Sequence, residues 1–112
     1  MADDDTIPPD LRTVLDGYDI GRGFGRTCPG CGHEHEPGDR LVVTTARTSA
    51  SKGWDVPSVV CSDCGQRSFS ENDRRSNLDQ VLVSISLAPA PMALVLDGET
   101  ARLLDRSPAT GG

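Results

Sequence analysis

The sequence is short of lysine, of aromatic residues and of long apolar segments. Of its 112 residues only Lys52 is a lysine, and only 4% are Phe, Trp or Tyr. No apolar run approaches the roughly 18 residues that a membrane-spanning helix needs. The acidic start, Met-Ala-Asp-Asp-Asp, is unlike a signal peptide. We therefore expect a cytoplasmic protein with no membrane partner, of a length that allows a single domain.

Acidic residues dominate the charge. Seventeen Asp and Glu, thirteen of them Asp, stand against eleven basic residues, ten of them Arg, so the net charge is -6. Carboxylates retain hydration in concentrated salt, which also screens their mutual repulsion. We interpret this Asp-rich, Lys-poor composition as halophilic. The overall acidity disfavours a protein that coats DNA, because phosphates carry the same sign of charge.

The charge is unevenly distributed along the chain. Residues 1–19 carry a net charge of -5, residues 20–75 carry +1 and residues 76–112 carry -2. The middle of the chain is therefore Arg-rich and nearly neutral, which leaves nucleic-acid binding open for that segment.

Apolar periodicity predicts a small, mainly-β protein with a short N-terminal helix. The helix follows Pro8 and Pro9 and ends at Gly17, with an apolar stripe at three- and four-residue spacing. Alternation and β-branched residues predict an antiparallel sheet. Its expected segments are a strand over 41–48, an edge strand over 56–60 containing Pro57, a strand over 81–87, an extended connector over 88–91, and a hairpin of 92–96 and 99–104 turning at Asp97-Gly98.

These elements predict an acidic N-terminal arm over 1–19, one β-rich metal-binding domain over 20–106 and a disordered tail over 107–112. Residues 21–25, Gly-Arg-Gly-Phe-Gly, are not expected to form a helix because glycine is a poor helix former.

The four cysteines form two matched Cys-x-x-Cys-Gly motifs. Cys28, Cys31 and Gly32 belong to the first knuckle (residues 28–32), and Cys61, Cys64 and Gly65 belong to the second (residues 61–65). In a metal knuckle the chain turns sharply after the second thiolate, and glycine adopts the positive φ this turn requires. Four thiolates suit one tetrahedral, structural zinc ion, so we assign Cys28, Cys31, Cys61 and Cys64 as its ligands.

Three other interpretations of the cysteines stay open. A disulfide framework is disfavoured because cytosolic thiols stay reduced. A redox pair at Cys28 and Cys31 lacks the βαβ context of such motifs. Iron suits the same four thiolates. We expect no enzyme, because a closed site leaves no position for a substrate and no nucleophile triad, phosphate loop or carboxylate pair is present.

Several neighbouring residues have two interpretations each. His33 and His35 can replace a cysteine or form a second site with Glu34 or Glu36, but we favour exposed loop residues. Arg26 and Arg67 are candidates for donors to the thiolates, with solvated surface arginines as the alternative. Trp54 is expected to cover the metal site or the core.

The first knuckle, Cys28-Pro29-Gly30-Cys31-Gly32, together with the acidic and Lys-poor composition, resembles the small CPxCG-type zinc-finger proteins of haloarchaea. The resemblance covers residues 26–67. It implies a zinc-ribbon type of double knuckle in an archaeal adaptor or regulator that contacts protein or nucleic acid without catalysis.

The two spaced pairs, with Trp54 and Pro57 before the second and Phe69 after it, are also similar to rubredoxins. That similarity implies an iron ion that carries electrons. Ser62 stands where their second knuckle usually has proline, and the predicted strand over 41–48 replaces their irregular loop.

We therefore expect an adaptor or regulator that contacts another protein, with an apolar patch from strands 81–104 either exposed or buried in a homodimer. The alternative is a nucleic-acid-binding module, and the distant alternative is an iron electron carrier. The nucleic-acid hypothesis requires scattered arginines to share one face: Arg22, Arg26, Arg47, Arg67, Arg74 and Arg75.

Overall fold

A four-stranded antiparallel sheet forms the centre of the molecule. The computed structural model describes residues 7–23, 25, 27–48, 53–72, 77–91 and 93–108. The strands lie in the order β2-β1-β3-β4, which confirms the prediction of a small, mainly-β fold with an antiparallel sheet. Their bounds are β1 Arg40–Thr48, β2 Asp55–Cys61, β3 Leu78–Ala90 and β4 Ala93–Ser107.

The predicted N-terminal helix is α1, Pro9–Leu15. Leu11 and Leu15 are fully buried against the sheet, whereas Val14 of the expected apolar stripe is 38% exposed. Gly17, just past the helix end, has a φ of 81°, a conformation that glycine adopts without a steric penalty. Neither helix of the described residues is long and apolar enough to cross a membrane.

The prediction of no helix over 21–25 is wrong at its start. One helical turn, α2, spans Ile20–Gly23. The side chain of Ile20 is fully buried, and Oδ1 of Asp19 accepts a hydrogen bond from the N–H of Gly21 at 2.9 Å. These two anchors hold the turn despite the low helix propensity of glycine. Phe24 lies outside the described residues.

The predicted turn at Asp97-Gly98 is also wrong. The hairpin turns instead between Ala90 and Ala93, and Asp97-Gly98 lies inside β4. The pairing moves from Ser86–Asp97 to Ser84–Arg102, so residues 98–101 bulge out of the ladder.

Contacts with α1 fix this bulge. The N–H of Gly98 donates to Oδ1 of Asp16 at 3.0 Å, and the Arg12 guanidinium donates to the carbonyl of Gly98 at 2.7 Å. A Cβ at Gly98 would lie 2.7 Å from the Cβ of Asp16, so only glycine allows this approach.

The predicted connector over 88–91 extends strand β3 as far as Ala90. Leu87 exchanges hydrogen bonds with Gly38 and Asp39 on the β1 side of the strand. Pro89 faces the same side, because strand residues alternate, but it lies beyond the start of β1. A proline is tolerated there because no ladder hydrogen bond needs its missing N–H.

The two faces of the sheet are covered unequally. The main core packs α1 and Trp54 against one face, around fully buried residues such as Leu41, Val83 and Ile85. The opposite face carries a smaller cluster of Val42, Leu82 and Phe69. Strand β4 ends at Ser107, three residues after the predicted end of the strands at 104, and residues 109–112 lie outside the described ranges.

Candidate metal centre

Strand pairing brings the two knuckles together at one end of the sheet. Cys61 is the last residue of β2 and lies opposite Leu41, near the start of β1. The loop before β1 carries Cys28 and Cys31, and the turn after β2 carries Cys64. The four Sγ atoms lie within 4.8 Å of one another. All four predicted ligands therefore meet, as a group that could hold a metal ion.

The first knuckle is a tight turn built by its glycines. The N–H of Gly32 donates to the carbonyl of Cys28 at 2.9 Å, and Gly32 has the expected positive φ, 78°. A Cβ at Gly30 would lie 2.9 Å from Sγ of Cys64. Position 30 therefore has no room for a side chain, because the second knuckle packs directly against it.

The second knuckle uses its glycine differently from our prediction. The N–H groups of Cys64 and Gly65 donate to the carbonyl of Cys61 at 3.1 and 3.0 Å. Gly65 is not among the described glycines with positive φ. A Cβ there would overlap the side chain of Val42 in β1. The same sequence signal thus has two causes, backbone conformation at Gly32 and close packing at Gly65.

The sulfur geometry suits a tetrahedral thiolate site. All four cysteines are free thiols, and the Sγ atoms of Cys31 and Cys61 are 3.6 Å apart. Two thiolates at about 2.3 Å from a tetrahedral zinc ion would be separated by about 3.8 Å. Cys28 is 1% exposed and Cys61 is 7% exposed, whereas Cys31 and Cys64 are exposed, one in each knuckle.

Hydrogen bonding distributes the charge of the four sulfurs unevenly. Burial raises the pKa of Cys28, but N–H groups of Cys61 and Gly30, both 3.4 Å from its Sγ, help lower it to about 6. The neighbouring sulfurs of Cys61, Cys31 and Cys28 raise the pKa of Cys64 to about 12. The backbone N–H of His33 lowers the pKa of Cys31, but the sulfurs of Cys61 and Cys28, together with burial, raise it overall. Ionising the whole set therefore calls for a cation at its centre.

Comparison with known proteins gives one match. Residues 6–88 match the family model described as "Domain of unknown function (DUF8112)". The chain belongs to this family. No curated protein and no solved structure matches it. The DUF8112 match includes both knuckles, α1, β1 and β2, and it ends before β4 begins.

The two histidines of this DUF8112 chain lie in different environments, and neither is in the cysteine group. His33 is exposed, as predicted, and its Nε2 lies 3.0 Å from Oδ2 of Asp39. That hydrogen bond raises the pKa of His33 and lowers the pKa of Asp39. The prediction of exposure is wrong for His35, which is 4% exposed and lines a cavity together with residues of β3 and β4. Burial lowers the pKa of His35.

No second metal site forms from the loop histidines and glutamates. Within the described ranges, the cysteine group is the one cluster of three or more metal-ligating side chains. His33, His35, Glu34 and Glu36 therefore do not make the alternative site considered from the sequence.

Trp54 covers the core rather than the metal site. It packs in the main core, its Nε1 donates to Oδ2 of Asp10 at 3.1 Å, and the Arg47 guanidinium lies 4.3 Å from its ring centre. Arg47 also pairs with Asp10 at 2.6 Å and with Asp79 at 3.6 Å. Sequence reasoning missed this cluster because its members are far apart in the chain.

The structure describes only some of the arginines that we predicted to donate to the thiolates or to form a nucleic-acid-binding face. Arg67 is exposed, and the donors described for Sγ of Cys28 are backbone N–H groups. Arg47 is held in ion pairs by acidic residues. The side chain of Arg22 and the whole of Arg26, Arg74 and Arg75 lie outside the described residues.

The expected apolar patch on strands 81–104 is not found among the described residues. Val81, Leu87 and Leu96 are buried in the main core. Among all the residues that the structure describes, Val14 of α1 is the large hydrophobic side chain that is exposed.

Proposed function

We propose that Cys28, Cys31, Cys61 and Cys64 bind one structural zinc ion, and that the zinc-loaded protein is an adaptor or regulator that contacts another protein. The convergence of the four Sγ atoms within 4.8 Å carries this proposal. A bound zinc ion supplies the positive charge that four clustered thiolates need. Structural zinc sites of this type contribute on the order of 10–16 kcal/mol of apparent binding free energy at neutral pH.

The charge around the site favours a protein partner over nucleic acid. One cleft, of about 220 Å³, places Asp39 and Asp63 beside Cys31 and Cys61. Zinc with four thiolates leaves a net charge of about -2. Arg40 also lines this cleft, but its guanidinium donates to Ser84, Ser86 and the carbonyl of Thr100. Phosphates would therefore meet negative charge at the metal end.

We further propose a halophilic, archaeal and cytoplasmic setting and a zinc-ribbon type of knuckle pair. The ten arginines against one lysine and the net charge of -6 support the setting. The two Cys-x-x-Cys-Gly turns facing each other across paired strands support the knuckle type.

Metal analysis tests the first half of the proposal. We expect one zinc ion per chain by elemental mass spectrometry and a colourless protein. A coloured protein with one iron ion per chain, changing absorbance on reduction, would instead support the electron-carrier alternative. A protein that folds fully with no bound metal would overturn both.

Partner capture in concentrated salt tests the second half. Zinc-loaded wild type and a zinc-free Cys28→Ser/Cys61→Ser variant are compared as baits, with and without nuclease. The proposal expects the same protein partner in both nuclease arms, captured only by the zinc-loaded bait. Partners that disappear after nuclease treatment would indicate nucleic-acid binding instead.

A further inference from the structure

A second cavity is lined by the loop between the first knuckle and β1 and contains none of the cysteines. It has a volume of about 430 Å³ and is lined by the loop over 34–37 and by residues of strands β3 and β4 near their hairpin connection. We call it the hairpin groove. Its walls are partly apolar, and its lining residues are Glu34, His35, Glu36, Pro37, Pro89, Ala90, Ala93 and Leu94.

The polar residues of the hairpin groove include two carboxylates. Glu34 and Glu36 bring two carboxylates, which accept hydrogen bonds and cannot donate them when ionised. Pro89 has no N–H, and its carbonyl faces the same side of β3 as that of Leu87, which accepts from Gly38. Arg40, the nearest described arginine in sequence, is already bonded to β3 and to Thr100.

His35 gives an independent sign that the hairpin groove is incomplete. Its side chain lines the groove and is 4% exposed. Its Nδ1 is buried and has no hydrogen-bond partner among the described residues. Buried polar atoms are nearly always paired in folded proteins, so an unpaired one next to a cavity points to a missing group.

We infer that the hairpin groove binds an arginine side chain of the partner protein, an inference that rests on the proposed adaptor function. A guanidinium carries five N–H donors and no acceptor, which complements a groove lined by two carboxylates. Its flat, weakly hydrated faces pack on apolar surfaces such as the proline and alanine walls. Its positive charge is attracted by the negative carboxylates of Glu34 and Glu36.

A divalent cation and lysine are weaker occupants for this groove. Glu34, His35 and Glu36 do not bring three ligand atoms together, so they do not form a metal site. A lysine ammonium is compact and strongly hydrated, and it lacks the flat faces that pack on the apolar walls.

The experiment titrates the zinc-loaded, ¹⁵N-labelled full chain with an acetylated and amidated Ala-Arg-Ala tripeptide. Matched tripeptides carry lysine, or citrulline, which keeps the shape of arginine without its charge. We expect saturable amide shifts at residues 34–36, 90 and 93 with a millimolar Kd. The lysine peptide should bind at least threefold more weakly, and the citrulline peptide at least tenfold more weakly.

A Glu34→Gln/Glu36→Gln variant should bind the arginine tripeptide at least tenfold more weakly, as measured by the Kd. The matched control, Glu71→Gln/Glu99→Gln, removes the same charge from two exposed positions outside the groove and should change the Kd less than twofold. Unchanged zinc stoichiometry in both variants shows that they are folded.

Three results would overturn the inference. These are no saturable shift at the groove, equal binding of the citrulline peptide, or equal losses in the two double variants. If they occur while the zinc-loaded protein still captures its partner, only the groove assignment fails. Loss of zinc binding or of protein capture in the wild type would reject the proposed function itself.

Discussion

The backbone N–H of Cys61 donates to Sγ of Cys28 across 3.4 Å, although the residues are 33 positions apart in the chain. This bond links the end of β2 to the loop before β1. Both side chains are buried, whereas the other cysteine of each knuckle is exposed. The inner cysteines, Cys28 and Cys61, therefore connect the site to the sheet. The outer cysteines, Cys31 and Cys64, lie on its solvent side.

Replacing an inner cysteine should be more damaging than replacing an outer one. We expect Cys28→Ser and Cys61→Ser to lose the metal and to unfold the knuckles, because a buried ligand and its hydrogen bonds are lost together. Cys31→Ser and Cys64→Ser should weaken zinc binding but retain more ordered structure. Zinc stoichiometry and amide dispersion in NMR spectra check this. One zinc ion retained by Cys28→Ser would contradict the four-cysteine assignment.

Gly65→Ala should destabilise the protein through overpacking. The new Cβ would overlap Val42, which packs against Phe69 and Leu82. Overpacking of this kind typically costs about 1–3 kcal/mol of unfolding free energy. Gly53→Ala is the matched control, because a Cβ at the exposed Gly53 has no atom within 4 Å. Denaturant unfolding of the zinc-loaded proteins measures both, and equal midpoints would show that the Val42 contact is unimportant.

Zinc affinity should rise steeply with pH. Cys28, with a pKa of about 6, is already a thiolate at pH 7, whereas Cys64, with a pKa of about 12, and Cys31, with a raised pKa, are protonated. Binding must displace at least their two protons, so the affinity should increase roughly 100-fold per pH unit near neutrality. Calorimetry in buffers of different ionisation enthalpy counts the protons. Release of fewer than two protons would contradict this electrostatic description.

Asp10 should stabilise α1 on the sheet above its titration range. Burial raises its pKa, but hydrogen bonds from Trp54 and the charge of Arg47 lower it overall. A lowered pKa gives stability that is present above the unfolded value, 3.8, and is lost as the pH falls through the folded value. The side chain is half exposed, so we expect less than about 1 kcal/mol.

Asp10→Asn is compared with a control variant, Asp55→Asn, which changes an exposed residue at the start of β2 that does not line the cysteine cleft. Denaturant midpoints are measured from pH 3 to 6, with Trp54, the one tryptophan, as the fluorescent reporter. The stability difference between wild type and Asp10→Asn should shrink on acidification. A difference that does not depend on pH would reject the ionic role of Asp10.

Local patterns predicted the first three strands and the pairing of the two cysteine motifs, because each depends on neighbouring residues. The β-branched run of β1, the edge position of Pro57 and the two Cys-x-x-Cys-Gly motifs are of this kind. The turn predicted at Asp97-Gly98 was wrong because the conformation there depends on contacts with Arg12 and Asp16, more than 80 positions away. An Asp-Gly pair favours a turn only when no distant contact holds it in another conformation.

The burial of His35 and the role of Gly65 were equally beyond local pattern. His35 follows a knuckle in a polar, charged stretch, and the residues of β3 and β4 that share a cavity with it lie more than 50 positions later. Gly65 matches Gly32 in sequence, but the chain direction after the second knuckle takes it against Val42. In both cases a distant element determines what the residue contacts.

The hydrogen bond from Cys61 to Cys28 also protects the protein from pairing with other chains. Because strand residues alternate, the N–H of Cys61 and the position of Pro57 both face away from β1, along the outer edge of β2. Of the three outward-facing positions 57, 59 and 61, one N–H is taken by a sulfur and another does not exist, so only Val59 keeps an outward N–H and this edge is a poor template for an added strand. Chelation of the metal should release the N–H of Cys61. Light scattering should then detect aggregation, and zinc added early in the aggregation should reverse it.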